Sequence, residues 1–333
     1  MKFLKGCSIQ NFFKEKGYDY TFVSSDIDSM IMECVSENNI EKFNLVIEYA
    51  YKIGILLDLS FIEKDGTFPL LKAIDNDNIK MVKNIIRSSA RGYYKLNINK
   101  KDKNQKWCPV SKAIDNNNSD ILKLLLDYSI DKNIKLDMQE CYWNGNTPFI
   151  MAFEKNNIII VRLLMEYANK RNYVFDINRK GESGDYPLLL AVMNNNYSMV
   201  ELIMEYANKK NIVLNVNEEN FIGNFPILNA ISRNNIDILK LLIYYSNKNN
   251  IILEINKKEH IFGNYPILEA IKNLNEDTLL MLTQYAITNN IILKMFDKDR
   301  NGNYPLLKAV TSNSSSIIKI LVDYASKNNI RYQ

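Results

Sequence analysis

Histidine is almost absent from the 333-residue sequence, in which His260 is the single one. A metal site built from several histidines is therefore excluded, and a Ser-His-Asp triad is not expected. The sequence also contains no GxxxxGK[ST] or GxGxxG segment, so the usual glycine-rich phosphate-binding loops are missing. These absences predict a protein that is not an enzyme and that holds neither a cofactor nor a metal ion.

Cysteine is scarce as well, and the four cysteines at positions 7, 34, 108 and 141 form no CxxC pair. Dispersed cysteines favour reduced thiols over a disulfide framework, which indicates the cytoplasm, with the nucleus as the alternative. No run of about 18 apolar residues occurs, so we expect no membrane-spanning helix. The first residues lack the uninterrupted apolar stretch of a signal peptide.

Neither sign of charge is in large excess, since 42 basic and 38 acidic residues leave a net charge of +4. Proteins that bind nucleic acids without sequence preference usually carry a concentrated basic excess, so this class is disfavoured. Apolar residues make up 47% and charged residues 24% of the chain. That composition is typical of a folded protein and not of a disordered one.

Proline is limited to seven residues, and all of them fall in one register. They are Pro69, Pro109, Pro148, Pro187, Pro226, Pro266 and Pro305. Successive prolines lie 40, 39, 39, 39, 40 and 39 residues apart. A fixed period of this length is typical of stacked repeats, because one such repeat cannot bury its apolar face alone.

A tyrosine followed by a small residue repeats with the same period. These tyrosines are Tyr49, Tyr128, Tyr167, Tyr206, Tyr245, Tyr285 and Tyr324. Each lies beside the leucine pair of a predicted helix, so we expect a packing ladder in which equivalent rings stack and their hydroxyls lie near water. A ligand-binding box is the alternative.

Residues 184–217 show the plan of one repeat. After a turn, Pro187 suits the first position of a short helix, where its missing N–H costs nothing. Asn194-Asn195-Asn196 then interrupts the apolar pattern, and asparagine tolerates the left-handed backbone that a turn between two helices needs. A second amphipathic helix follows, and the alternation of apolar residues over 212–216 predicts an extended segment.

These features resemble the ankyrin repeat, whose pattern opens with Gly-x-Thr-Pro-Leu and closes the second helix with Gly-Ala. The clearest matches are Gly145-Asn146-Thr147-Pro148, Gly223-Asn224-Phe225-Pro226 and Gly302-Asn303-Tyr304-Pro305. The resemblance covers residues 28–330 and implies an all-α solenoid of about eight helix-turn-helix repeats with short hairpin or extended connections. We expect the repeats to start near residues 28, 66, 106, 145, 184, 223, 263 and 302, with residues 1–27 as an N-terminal cap and residues 28–333 as the array.

The sequence departs from the family pattern in two places with structural consequences. The glycine that ends the family's second helix is replaced by alanine or serine, as at Ala207 and Ser246. We therefore predict that the second helix continues about one and a half turns beyond the tyrosine pair and ends at asparagine pairs such as Asn249-Asn250. Lys106-Trp107-Cys108 replaces the usual Gly-Asn-Tyr, which predicts a reshaped hairpin there.

The resemblance implies a scaffold that binds another protein through the hairpin tips and the exposed face of the first helices. By register, the charged first-helix candidates are Asp75, Asp115, Glu154, Arg233 and Lys272. Their order suggests a surface that changes from acidic to basic along the array and orients an extended partner. Ordinary solvated charges are the alternative interpretation.

Aromatic residues in the hairpins are the other binding candidates, because tryptophan and tyrosine are enriched in binding hot spots. They are Trp107, Tyr142, Trp143, Phe221 and Phe262, with the first three as the favoured hot spot. Packing between neighbouring hairpins is the alternative. A second function, binding to nucleic acid or an anionic surface, would use Lys100, Lys101, Lys103, Lys106 and Arg233. We expect a monomer whose partner is another protein.

Overall fold

The computed structural model describes residues 6–23, 26–139 and 145–330, and it is helical apart from two strands of two residues each. The chain divides into two compact units, Met1–Tyr173 and Val174–Gln333. In the described part of the chain, none of the helices has the length and apolar character needed to cross a membrane.

The first unit is a stack of helix pairs preceded by one helix. Its elements are α1 (Gly6–Glu15), α2 (Ile27–Ser36), α3 (Ile40–Lys52), β1 (Leu57–Asp58), α4 (Pro69–Asp75), α5 (Ile79–Ala90), β2 (Tyr94–Lys95), α6 (Pro109–Asp115), α7 (Ser119–Asp131), α8 (Pro148–Glu154) and α9 (Ile158–Lys170). First helices contact first helices in the order α2, α4, α6 and α8, and α5, α7 and α9 do the same. Strands β1 and β2 pair in parallel between successive repeats.

The second unit has the same plan. Its helices are α10 (Pro187–Met193), α11 (Tyr197–Lys210), α12 (Pro226–Ser232), α13 (Ile236–Lys248), α14 (Pro266–Lys272), α15 (Glu276–Thr288), α16 (Pro305–Thr311) and α17 (Ser315–Lys327). Contacts join α10, α12, α14 and α16 in series. Every proline of the sequence begins a first helix of seven residues, and the predicted all-α solenoid of stacked helix pairs is confirmed.

Asparagine forms the turn between the two helices of a repeat, as predicted. Asn195 and Asn234 have φ angles of 54° and 55°, and the next asparagine, such as Asn235, caps the second helix. The side-chain oxygen of Asn235 accepts hydrogen bonds from the N–H groups of Asp237 and Ile238, which no helical carbonyl reaches. Asp77 and Leu274 replace asparagine at this left-handed position, both at φ 53°, and the leucine side chain is not suited to it.

The prediction of a long second helix is wrong. Helix α13 ends at Lys248, two residues after the Tyr245-Ser246 pair, and α11 ends at Lys210. A left-handed residue still ends the helix, but it lies farther along the chain than the glycine of the family pattern. Asn250 adopts φ 54°, and the Ile251 N–H donates to the Ser246 carbonyl at 2.8 Å. The predicted asparagine pairs do end the helices, as Asn249-Asn250 does after α13.

The tyrosine hydroxyls do not face water, contrary to the prediction. The Tyr245 hydroxyl accepts the N–H of Leu214 at 3.0 Å, and that of Tyr285 accepts the N–H of Leu253 at 2.9 Å. Tyr324 bonds to Leu293 in the same way at 3.1 Å. Each of these three tyrosines thereby fastens the extended segment of the preceding repeat.

Asparagine amides hold neighbouring extended segments together in the second unit. Asn217 donates to the Ile252 carbonyl at 2.8 Å and accepts from the Glu254 N–H at 3.0 Å. Asn256 makes the equivalent pair of bonds to Ile292 and Lys294. One side chain therefore replaces the two backbone bonds that a neighbouring strand would supply.

The N-terminal helix α1 buries Ile9, Phe12 and Phe13. The Phe12 ring lies 5.3 Å from the ring of Tyr49 in α3, measured between centroids. These contacts agree with a covering role for this segment, and the boundary of the cap at residue 27 stays a prediction.

Candidate functional site

Hairpins, here called fingers, lead into the first helices of successive repeats. A backbone hydrogen bond of 2.8–2.9 Å closes each finger. The fingers described are 63–67 and 102–107 in the first unit and 181–185, 220–224, 259–264 and 299–303 in the second. Because each finger ends one or two residues before a helix that packs in the core, its tip projects from a fixed base.

In fingers 259–264 and 299–303 the first residue shapes the turn with its side chain. The Glu259 carboxylate accepts the N–H groups of Ile261, Phe262 and Asn264 at 2.5–2.9 Å. In finger 299–303 the Asp299 carboxylate accepts from two backbone N–H groups in the same way. These acidic side chains therefore serve turn geometry, and the tip side chains point outward.

Finger 102–107 is reshaped, as the sequence predicts, and Gln105 takes the left-handed position at φ 58° that glycine holds in other fingers. Asp102 compensates by accepting from the N–H groups of Lys106 and Trp107 at 2.6 and 3.1 Å. The hairpin is thus kept with a different left-handed residue.

Fingers of the second unit contact their neighbours through the backbone. The Phe221 N–H donates to the Ser183 carbonyl at 3.2 Å, and the Arg300 N–H donates to the Phe262 carbonyl at 2.8 Å. A Cβ atom on Gly184 would lie 2.8 Å from the Phe221 nitrogen, so glycine is required for this approach as well as for its φ of 76°. The tips are therefore mutually supported.

The tips of fingers 220–224 and 259–264 present apolar side chains to solvent. The exposed fractions are 73% for Phe221, 54% for Ile222, 46% for Ile261 and 58% for Phe262, and we call these four residues the tip cluster. Phe221 and Phe262 were predicted candidates. The two isoleucines were missed, although an apolar pair at the same place in successive hairpins could have revealed them.

A cleft of about 330 Å³ lies between these fingers and the first helices of the second unit. Its apolar lining is Ile222, Leu228, Ile261 and Phe262, and its polar lining is Asn224, Asn229, Ser232, Glu259, Asn264 and Glu269. A concave apolar surface with a few polar groups is the usual form of a binding site.

The structure gives the two predicted basic residues of this surface different roles. Arg233 is exposed at the end of α12, directly after Ser232 of the cleft. Lys272 forms an ion pair within the chain, with its Nζ 3.2 Å from the buried Asp299 carboxylate. Burial alone would raise the pKa of Asp299, but hydrogen bonds from Asn303 and Lys272 outweigh it and lower that pKa. Lys272 therefore supports finger 299–303.

His260 is exposed and links finger 259–264 to Glu219, the residue before finger 220–224. Its Nε2 lies 2.8 Å from the Glu219 Oε1, and the Lys257 Nζ lies 3.2 Å from the other oxygen. The hydrogen bond with His260, opposed by burial and aided by Lys257, holds the pKa of Glu219 below its usual value. The part of the chain that the structure describes holds no group of three His, Cys, Asp or Glu side chains placed to bind a metal ion.

The predicted acidic residues of the first unit are paired. The Lys112 Nζ lies 3.0 Å from the Asp75 and 3.4 Å from the Asp115 carboxylate, and the Lys155 Nζ lies 2.9 Å from Asp115. We call this chain of pairs across α4, α6 and α8 the lysine–aspartate ladder. Glu154 accepts a hydrogen bond from the Asn146 amide at 2.6 Å. The predicted change of charge along the array stays a prediction.

Trp107 is half-buried beside this ladder, and the Lys112 Nζ lies 5.0 Å from its ring centroid. Its predicted partners Tyr142 and Trp143 lie outside the described residues, so the three-residue hot spot stays a prediction. Of the basic candidates around Trp107, Lys103 is exposed, whereas Lys100, Lys101 and Lys106 are half-buried.

Comparison with known protein families decides how this repeated architecture is classified. The family model described as ankyrin repeats (3 copies) matches residues 31–136, 134–215 and 227–332. The chain belongs to the ankyrin repeat family. Ankyrin repeats are generally protein–protein interaction modules, and the fold is in general a non-enzymatic scaffold.

Solved ankyrin structures share the fold at low sequence identity. The crystal structure of the ankyrin repeat domain of Bcl-3, described as a unique member of the IkappaB protein family, is 18% identical with a TM-score of 0.51. The match covers 89% of this chain and 98% of that one. EF0377, an ankyrin repeat protein, is 21% identical with a TM-score of 0.50, over 65% of this chain and 97% of that one. A search of curated proteins finds no match.

Proposed function

We propose that this ankyrin repeat protein is a non-catalytic scaffold that binds a partner protein through the fingers and first helices of its second unit. The observation that carries the proposal is the tip cluster, whose four large apolar side chains are exposed beside the cleft. Exposed apolar patches of this kind mark interaction sites, because transferring them out of water stabilises a complex.

The support of the fingers strengthens this proposal. Binding costs less when the contact residues are already held in place. The backbone bond from Phe221 to Ser183 and the close approach at Gly184 fix one side of the tip cluster. The bond from Arg300 to Phe262 fixes the other side. The tip cluster is therefore pre-organised.

Binding to nucleic acid or an anionic surface is the alternative, and it rests on Arg233 and on the four lysines around Trp107 in the first unit. Only Lys103 of the four lysines is exposed, and the ladder of alternating charges lies alongside. We therefore favour a protein partner. A steep loss of nucleic-acid binding with salt would support the alternative.

The proposal extends to the organisation of the chain. We infer that residues 1–27 cap the array of residues 28–333, and that the protein acts as a monomer in the cytoplasm or the nucleus. The buried face of α1 against α3 supports the first statement. Light scattering of the purified chain and microscopy of a tagged copy test the others.

Affinity capture from a cell lysate tests the binding surface. The full chain is compared with Phe221→Ala/Phe262→Ala and with Tyr244→Ala/Leu280→Ala, a control that removes equally exposed side chains from the second helices. We expect the first variant to lose at least one partner that the wild-type chain and the control retain. If both variants with native circular dichroism capture the same proteins as the wild type, the proposed surface is wrong.

A further inference from the structure

We propose that the partner of the second unit is a peptide segment that carries a carboxylate beside bulky apolar side chains. This inference rests on the proposed function, since it names the chemistry that the tip cluster and its cleft recognise. The apolar groups would enter the cleft, and the carboxylate would pair with Arg300, while Arg233 adds a second exposed positive charge beside Ser232 of the cleft.

The apolar part of the site is sized for side chains. Leu228 is 5% exposed and forms the floor, while Ile222, Ile261 and Phe262 form walls that stand in solvent. A volume of about 330 Å³ is at the lower end of ligand pockets, which suits a few protruding side chains better than a whole domain. Bulky apolar residues of a peptide would cover surface that water now contacts.

The carboxylates of the cleft are already engaged within the chain. Glu259 accepts three backbone N–H groups, and Glu269 accepts the Asn264 amide at 2.5 Å. Glu259 is buried and Glu269 is half-buried. Neither is placed to form a strong, water-exposed pair with a basic side chain of a partner.

Two kinds of basic side chain lie near the cleft and the fingers: lysines that are paired with carboxylates of the described chain, and two exposed arginines that are not. Among the described residues of the second unit, Lys180, Lys257, Lys258 and Lys272 each have a carboxylate within 3.2 Å. Neither Arg233 nor Arg300 has a carboxylate partner in the described chain, and the Arg300 guanidinium donates to the backbone carbonyl of His260. Guanidinium groups bind carboxylates with two parallel hydrogen bonds, so this pair favours an acidic ligand.

The same charges orient the ligand. Arg300 bonds through its N–H to Phe262, which places it at one end of the tip cluster. The other end of the tip cluster lies against finger 181–185, where the Phe221 N–H donates to the Ser183 carbonyl. An acidic residue would be attracted toward Arg300, so the carboxylate should lie toward finger 299–303.

Selection from a random peptide display library on the immobilised full chain tests the proposal. The variants are Phe221→Ala/Phe262→Ala for the tip cluster, Arg233→Glu/Arg300→Glu for charge, and Lys209→Glu/Lys319→Glu as the charge-matched control. Lys209 and Lys319 are exposed on second helices and have no carboxylate partner in the described chain. We expect enriched peptides with Asp or Glu next to Leu, Ile or Phe.

Binding of one enriched peptide is then measured by fluorescence polarisation. The arginine variant should weaken it by about tenfold or more, and added salt should no longer weaken the remaining binding, because the reversed charges repel an acidic peptide and salt screens that repulsion. The control variant should change it by less than about threefold. Peptides that need the tip cluster but are neutral or basic would overturn the acidic chemistry and leave the proposed function standing. Enrichment that ignores the tip-cluster variant, or no enrichment at all, would overturn both.

Discussion

The two units build the same repeat but present different surfaces. In the first unit the lysine–aspartate ladder joins α4, α6 and α8, so the charges of that surface satisfy one another. Among the described residues of the second unit, no such ladder joins α10, α12 and α14, and the neighbouring fingers expose the tip cluster instead. The repeat thus sets the course of the backbone. The side chains on the first helices and fingers determine whether the charges of a surface pair with one another or whether apolar groups stay exposed for a partner.

The residue before each proline also differs between the two units. In the first unit it is Phe68, Cys108 or Thr147, whereas the second unit has a tyrosine at three of its four such positions. The Tyr265 hydroxyl donates to the carbonyls of Lys294 at 3.0 Å and Asp297 at 2.6 Å, in the stem of finger 299–303. The Tyr186 hydroxyl donates in the same way to the carbonyls of Asn215 at 2.8 Å and Glu218 at 2.9 Å, directly before finger 220–224. Tyrosine at this position therefore holds two finger stems of the second unit.

Removing this clamp should have the largest effect. Tyr265→Ala empties a fully buried site and is expected to destabilise the second unit by about 3–5 kcal/mol. Cys108→Ala at the equivalent position of the first unit should cost about 1 kcal/mol, because far less apolar surface is lost. Urea unfolding of the full chain, followed by hydrogen exchange in each unit, measures both values.

Tyr265→Phe separates the ring from its hydroxyl and serves as the control for that experiment. It leaves two carbonyls without a donor, so we expect a cost of about 1–2 kcal/mol and faster exchange of the Gly302 amide. Tyr244→Phe removes an exposed hydroxyl and should change nothing. Equal costs for Tyr265→Phe and Tyr244→Phe would show that the hydroxyl clamp does not hold the finger.

Much of this fold could be predicted from the sequence, because the prolines that begin the first helices and the asparagines that form the turns recur with a fixed period. Pro187 and its equivalents locate seven first helices, while α2 begins at Ile27 without a proline, and Asn195 locates the turn between helices. The length of the second helix was overestimated, although the asparagine pairs that end it, such as Asn249-Asn250, were predicted. Sequence alone places the hydroxyl of Tyr245 at the edge of a helix but does not show the backbone N–H that it meets in another repeat.

The candidate surface was only partly predictable for the same reason. Phe221 and Phe262 stand out as aromatic residues in polar hairpins, so their exposure could be anticipated. Whether a charged side chain is already paired depends on its distance from charged side chains of neighbouring repeats. A single sequence does not give these distances. Asp115 and Lys272 are therefore found paired, although register alone placed them on an open surface.

Leu274 offers a test of intermediate size. It occupies the left-handed turn position that asparagine holds at Asn195 and Asn234, and a branched side chain is strained there. Leu274→Asn should therefore stabilise the second unit by about 1 kcal/mol. Asn234→Leu is the matched reverse change and should destabilise it by at least as much, because it also removes the bond to Asn275. Thermal and urea unfolding give both signs, and a destabilised Leu274→Asn protein would contradict the argument from backbone strain.

The lysine–aspartate ladder should contribute least, since its members are partly exposed. Lys112→Met/Lys155→Met is expected to cost the first unit about 0.2–1 kcal/mol at neutral pH and low salt.

Burial alone would raise the pKa of Asp115, but hydrogen bonds and charge from Lys155 and Lys112 outweigh it and lower that pKa. A group whose folded pKa is depressed stabilises the fold above its unfolded pKa and loses that contribution as the pH falls through the folded value. The double variant should therefore approach wild-type stability in acid, and NMR titration should find the Asp115 pKa raised toward its ordinary value. A stability difference that persists unchanged at low pH would mean that the lysine stems, and not their charges, support the first unit.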